Sequence, residues 1–168
     1  IQADEMGTWT GTFIVPAGSA GEHEITAEGD YTDRGDIDDP AVFYMTAGIA
    51  VTPLKGIVGS SFTVSGSGFG TNEDDVEILF DGKSVKSGFD AGSDGAFEVT
   101  VTVPDAAMGT HTVDAQGSDT SKGDIDDVDF EVEPSVVVKP TSGNVGTQIE
   151  VSGKGLPAGK SVTVTYDG

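Results

Sequence analysis

Residues 53–68 read PLKGIVGSSFTVSGSG, and the fold follows from how this stretch is read. Phe62 and Val64 alternate with Thr63 and Ser65, the pattern of a strand with one buried face. Pro53 ends the strand before it, because proline cannot donate to a ladder. Gly56 and Gly59 bound a turn, and Gly66 and Gly68 mark a bent or bulged strand end. The spacing returns 87 positions later, where Pro140, Gly143, Gly146, Val151, Ser152, Gly153 and Gly155 replace Pro53, Gly56, Gly59, Val64, Ser65, Gly66 and Gly68. One residue then drops out, and Phe80-Asp81-Gly82 returns as Tyr166-Asp167-Gly168.

A second overlay runs the other way. Gly7, Trp9, Pro16, Gly21, His23 and Ala27 match Gly95, Phe97, Pro104, Gly109, His111 and Ala115, 88 positions on. The pentapeptide Gly35-Asp36-Ile37-Asp38-Asp39 returns unchanged as Gly123-Asp124-Ile125-Asp126-Asp127. A long fixed period is the signature of a repeated structural unit. Residues 47–133 therefore read as one complete repeat. Residues 1–46 repeat its second half and residues 134–168 its first half. Only the segment matching residues 83–88 has no counterpart.

Short alternating runs separated by turns place the chain in the all-β class. In the full repeat the predicted strands carry Ile49 and Val51; Phe62 and Val64; Val76, Ile78 and Phe80; an edge strand over 83–88; Phe97, Val99, Val101 and Val103; His111, Val113 and Ala115; and Phe130 and Val132. Residues 56–59 are expected to form a turn. Seven such strands in an 87-residue period suit an immunoglobulin-like β-sandwich. The expected core is Phe62, Val64, Ile78, Phe80, Phe97, Val99, Val101, Val113, Phe130 and Val132, one parity of each strand. The flanks predict strands from Gly7 to Val15, through His23, Ile25 and Ala27, over 42–46, through Val136 and Val138, through Ile149 and Val151, and from Val162 to Tyr166. Trp9 overlays Phe97 and is expected in a core. Leu79, Ile14 and Tyr44 are expected to point outward, where their repeat partners are Thr165, Thr102 and Glu131.

The 168 residues carry 29 acidic and 8 basic side chains, a formal charge of −21. Such a surface repels nucleic acid and anionic lipid and attracts cations. No apolar run approaches the roughly 20 residues of a membrane span, so membrane insertion is not expected. The chain has no cysteine, hence no disulfide framework. Neither Asn72 nor Asn144 begins a glycosylation acceptor. The start at Ile1, without a charged-then-apolar leader, reads as a processed or excised segment.

Pro53, Gly56 and Gly59 leading to Val64, Ser65, Gly66, Gly68 and Phe69, with the echo from Pro140 to Leu156, resemble the opening of an IPT/TIG-like immunoglobulin repeat. Val103-Pro104 with Gly109-Thr110-His111-Thr112-Val113 is similar to the close of such repeats in archaeal and bacterial cell-surface and S-layer proteins. The resemblance implies a modular extracellular or cell-surface protein with a structural or adhesive role. The repeated Gly-Asp-Ile-Asp-Asp loop is not part of it.

Catalytic signals are weak. No Gly-x-Ser-x-Gly elbow is present. The two histidines, His23 and His111, are repeat equivalents in phase with core residues, which suits a structural imidazole bonding a loop. Cation binding is the sharper possibility, since calcium takes six to eight oxygen ligands. The turn holding Glu73, Asp74 and Asp75 is expected at the same end of the sandwich as the loop holding Asp124, Asp126 and Asp127. Asp36, Asp38 and Asp39 repeat the latter. The competing reading is a solvated acidic coat, and the spacing is not that of an EF-hand.

The expected function is a non-enzymatic structural module that self-assembles head to tail into a filament or surface array. Residues 134–168 of one copy and 1–46 of the next would complete a composite domain. The alternatives are a window from a longer covalent array and an adhesin binding a carbohydrate or protein.

Overall fold

The computed structural model describes residues 1–167; the expected match of Gly168 to Gly82 lies outside them. Twelve strands are present among the described residues: β1 (Gly21–Ile25), β2 (Ala41–Met45), β3 (Gly48–Thr52), β4 (Lys55–Ile57), β5 (Ser61–Ser67), β6 (Val76–Phe80), β7 (Lys83–Phe89), β8 (Phe97–Thr102), β9 (Gly109–Gln116), β10 (Val128–Glu133), β11 (Ser135–Lys139) and β12 (Glu150–Lys154). Two single 3-10 turns, Arg34–Asp36 and Lys122–Asp124, precede β2 and β10.

β3 to β10 form a two-sheet sandwich. One sheet has the order β3-β5-β8 and the other β4-β10-β9-β6-β7. Alternation along the strands sends one parity of side chains between the sheets. Phe62, Val64, Ile78, Phe80, Val101, Val113, Phe130 and Val132 are all buried there, as expected. Phe62 and Phe130 meet across the gap with ring centroids 4.8 Å apart. Phe97 and Val99 are only half-buried and pack against the core rather than inside it. They lie on an edge strand of the three-stranded sheet, and the Phe97 ring covers the open backbone of Gly66.

The strand count is eight rather than seven. The chain crosses from one sheet to the other at Pro53 and Leu54, and Lys55–Ile57 pairs in parallel with β10 instead of forming part of the expected turn. β7 is the edge strand expected over 83–88, with its two lysines on the rim. Leu79 is not outward-exposed but 95 % buried. It faces Asp114 across β6 and β9 on the outer side of the sheet. The loop carrying Lys122 and Asp127 lies against Asp114 there, so that face is roofed.

The flanks are built differently. β1 pairs with β2, β11 pairs with β12, and each pair stands as a two-stranded sheet. The expected strand from Gly7 to Val15 has no ladder, nor does the one from Val162 to Tyr166. A strand is defined by its partner, and neither segment has one in place. Trp9 is correspondingly 54 % exposed instead of in a core.

Candidate functional site

The acidic loops are held by their own hydrogen bonds. Glu73 meets the 117–127 loop at Asp119 and Thr120. Its Oε1 accepts from the backbone N–H groups of Asp119 (2.8 Å) and Thr120 (2.6 Å). Its Oε2 accepts from Gly70 N (2.6 Å) and Thr120 Oγ1 (2.7 Å). Burial works to raise the Glu73 pKa, but these four donors outweigh it and hold the carboxyl below its ordinary range. The side chain is thus a staple between two loops. Gly70 and Gly117 leave room for it, since a Cβ at either would crowd the carboxylate or its stem.

Asp124 Oδ2 accepts from Ser121 N at 3.1 Å and closes its 3-10 turn. Asp36 does the same for Asp33 N at 2.8 Å. Ile125, in the centre of the pentapeptide, plugs the core, while Ile37 is half-buried. Asp127 reaches the buried Asp114, whose carboxyl is pushed up by burial and then by the neighbouring Asp127 charge. Asp74, Asp75, Asp126, Asp38 and Asp39 are exposed. Among the described residues no group of three or more such side chains converges to hold a metal ion.

The histidines show a more specific arrangement. His111 Nε2 lies 2.8 Å from Ala107 O, and Nδ1 lies 2.7 Å from Asp81 Oδ2. The Phe80 ring stacks on the imidazole at 5.1 Å. Asp81 also binds the backbone of Thr112 both ways: Thr112 N donates to Asp81 Oδ1 (3.1 Å) and Asp81 N donates to Thr112 O (2.9 Å). Burial works to lower the His111 pKa, but the Asp81 bond, the Ala107 carbonyl and the charges of Asp81 and Glu131 raise it on balance. Asp81 is opposed by burial as well and is lowered on balance by His111 and Thr112.

The flanks expose what the sandwich buries. An open groove of about 490 Å³ on the first flank is lined by Phe13, Val15, His23, Ile25, Phe43 and Met45 among others. These six match Val101, Val103, His111, Val113, Phe130 and Val132 by the overlay and by strand register. The registers agree: His23 pairs with Phe43 as His111 pairs with Phe130. On the second flank Val138 pairs with Val151 as Val51 pairs with Val64. There Val136, Ile149, Val162, Val164 and Tyr166 are all about half exposed or more. The counterparts of the last four, Phe62, Val76, Ile78 and Phe80, are at most 3 % exposed, and Ile49, the counterpart of Val136, is half-buried.

The two flanks sit at opposite ends of the sandwich. Ala20 N donates to Gly68 O at 2.7 Å, and Ser19 Oγ lies 3.2 Å from Thr71 Oγ1. These contacts are at the end where β8 begins. Lys154 Nζ donates to Asp105 Oδ1 at 2.8 Å, and Gly155 bridges to Ala107, at the end where β8 finishes. A six-residue strand separates the ends by about 20 Å.

Residues 49–130 match the model of the IPT/TIG domain. That domain is an Ig-like β-sandwich, as observed for β3 to β10. It is a general module often used in surface or adhesion proteins. No curated protein matches the chain. No helix among the described residues is long and apolar enough to cross a membrane.

Proposed function

We propose that the chain, with its IPT/TIG sandwich at the centre, is a non-enzymatic structural module that assembles head to tail at a cell surface. At each joint, residues 134–168 of one copy and 1–46 of the next form a composite Ig-like domain. The observation that carries this reading is which strands pair and which do not. β1–β2 and β11–β12 form, and their counterparts in the sandwich, β9–β10 and β3–β5, are pairs that lie within one half of the repeat. The segments around Phe13 and Val164 stay unpaired, and their counterparts β8 and β6 pair with strands of the other half, β5 and β9. Each flank therefore holds the ladder partners that the other lacks.

Two further points support a joint between copies. The apolar side chains of both flanks are those that fill the core of the sandwich, and exposed apolar surface of this extent is a binding surface. The flanks leave the sandwich at opposite ends, so joining them within one molecule would require a reversal along its length. Strand exchange between chains has precedent in donor-strand complementation, and a head-to-tail contact that does not close gives an open filament. Sedimentation velocity over a concentration series tests the reading, with electron microscopy of the same samples. The proposal expects oligomers that lengthen with concentration and linear filaments of uniform width. A monomer at every concentration would overturn it.

A further inference from the structure

His23 repeats one half of the His111 arrangement and Asp167 repeats the other. His23 Nε2 lies 2.9 Å from Ser19 O, as His111 Nε2 lies 2.8 Å from Ala107 O. Ser19 and Ala107 are overlay partners, and the glycines two residues before each histidine share a φ of 124° and 125°. Among the described residues His23 Nδ1 makes no hydrogen bond. On the other flank, Asp167 follows Tyr166 as Asp81 follows Phe80. Asp167 has φ 52° and Asp81 φ 49°, a left-handed conformation that residues other than glycine seldom adopt. Asp167 thus already holds the backbone shape with which Asp81 reaches a histidine and a strand edge.

We propose that His23 of one copy and Asp167 of the next form an ion pair that latches the head-to-tail joint. In it the Asp167 carboxylate spans His23 Nδ1 and the backbone N–H of Glu24, and the Tyr166 ring stacks on the imidazole. The inference rests on the assembly reading above and says which contact gives the joint its register. The free edge of β1, on which Glu24 lies, is open to receive it. The charged groups lining the groove beside His23 are Glu24 and Arg34. Glu131, whose charge acts on His111, is replaced at the joint by Tyr44, so that carboxylate has no counterpart beside Asp167. In a chain of formal charge −21, a single well-placed opposite pair also discriminates against other packings of two acidic surfaces.

The test is a double-mutant cycle on the full chain: His23→Ala, Asp167→Ala and the two together, with the concentration of half-assembly read by sedimentation. The latch expects each single change to raise that concentration about tenfold, as for a desolvated charge-assisted hydrogen bond. The double change should cost no more than one single change, because the two residues act on each other. Additive effects, or no effect of either single change, overturn the latch. Ile25→Asp, which puts a charge in the groove without touching the pair, separates the two claims. If it abolishes assembly while His23→Ala does nothing, the joint stands and the latch falls. If the unaltered chain never assembles, both fall.

Discussion

Phe62 on β5 and Phe130 on β10 meet face to tilted face, 4.8 Å apart, across the gap between the two sheets. They are at most 2 % exposed, and Phe80 meets Phe130 edge-on from the side at 6.1 Å. This cluster is the centre of the sandwich, so Phe130→Ala should cost about 3–5 kcal/mol. Phe97→Ala should cost clearly less, since that ring lies half-exposed against Phe69 and Phe89. Urea unfolding of the two variants gives the order. A larger loss from Phe97 would place the core on the wrong side of β8.

The Glu73 staple makes a second expectation. Glu73→Gln keeps the size but turns one acceptor into a donor facing N–H groups that need acceptors. Each buried donor left unpaired costs about 1–3 kcal/mol, so the variant should lose stability on that scale. The carboxyl is held below its ordinary value of 4.5 in the folded chain. Its contribution is therefore full above 4.5 and is lost as pH falls through the folded value. The variant should lose that part of the acid dependence.

His111 titrates with the opposite sign. Its folded pKa lies above the ordinary 6.5. Its contribution is full below 6.5 and is lost as pH rises through the folded value. The partner Asp81 lies below its ordinary 3.8 in the folded chain. Its share is full above 3.8 and is lost as pH falls through the folded value. The pair therefore stabilises the sandwich most between those two values. His111→Gln should flatten the loss of stability on the alkaline side of 6.5, measured by thermal unfolding across pH. An unchanged slope would mean that the pair is not felt by folding.

The acidic loops give a fourth expectation. Calcium could reach Glu73 only by displacing four protein donors. Calcium and magnesium should therefore raise the melting temperature alike at equal ionic strength, by screening the charge of −21. A specific gain with calcium, reversed by chelation, would show ligands from Asp124, Asp126 and Asp127 gathering around an ion.

The inward stripes are legible in the sequence because alternation is local. Phe62 with Val64, and Ile78 with Phe80, announce a buried face without reference to anything distant. What escapes is non-local. Nothing near Leu79 says that a loop some 40 residues on will roof it. Nothing in Gly7 to Val15 says that its ladder partner is missing, because pairing belongs to two segments at once. The turn role of Glu73 is visible from its neighbours, but its burial is signalled only by the glycines at 70 and 117 that make space for it. The repeated Gly-Asp-Ile-Asp-Asp loop reads as an acidic site when its charges are counted. Its isoleucine, buried at position 125, and its turn-closing aspartates explain it better as a loop anchor.

The most direct test of the composite joint uses the absence of cysteine from the chain. Leu79 and Asp114 stand directly opposite each other on β6 and β9, and their overlay partners on the flanks are Thr165 and Thr26. Antiparallel partners lie about 4.5–5.5 Å apart between Cα atoms, within reach of a disulfide. The variant carrying both Thr26→Cys and Thr165→Cys is oxidised under native conditions and resolved by non-reducing denaturing electrophoresis. A composite joint gives a ladder of covalent oligomers extending well past the dimer, whereas each single-cysteine variant, whose thiol faces a threonine, goes no further than a dimer. A double variant that stays monomeric, or closes a disulfide within one chain, would contradict it.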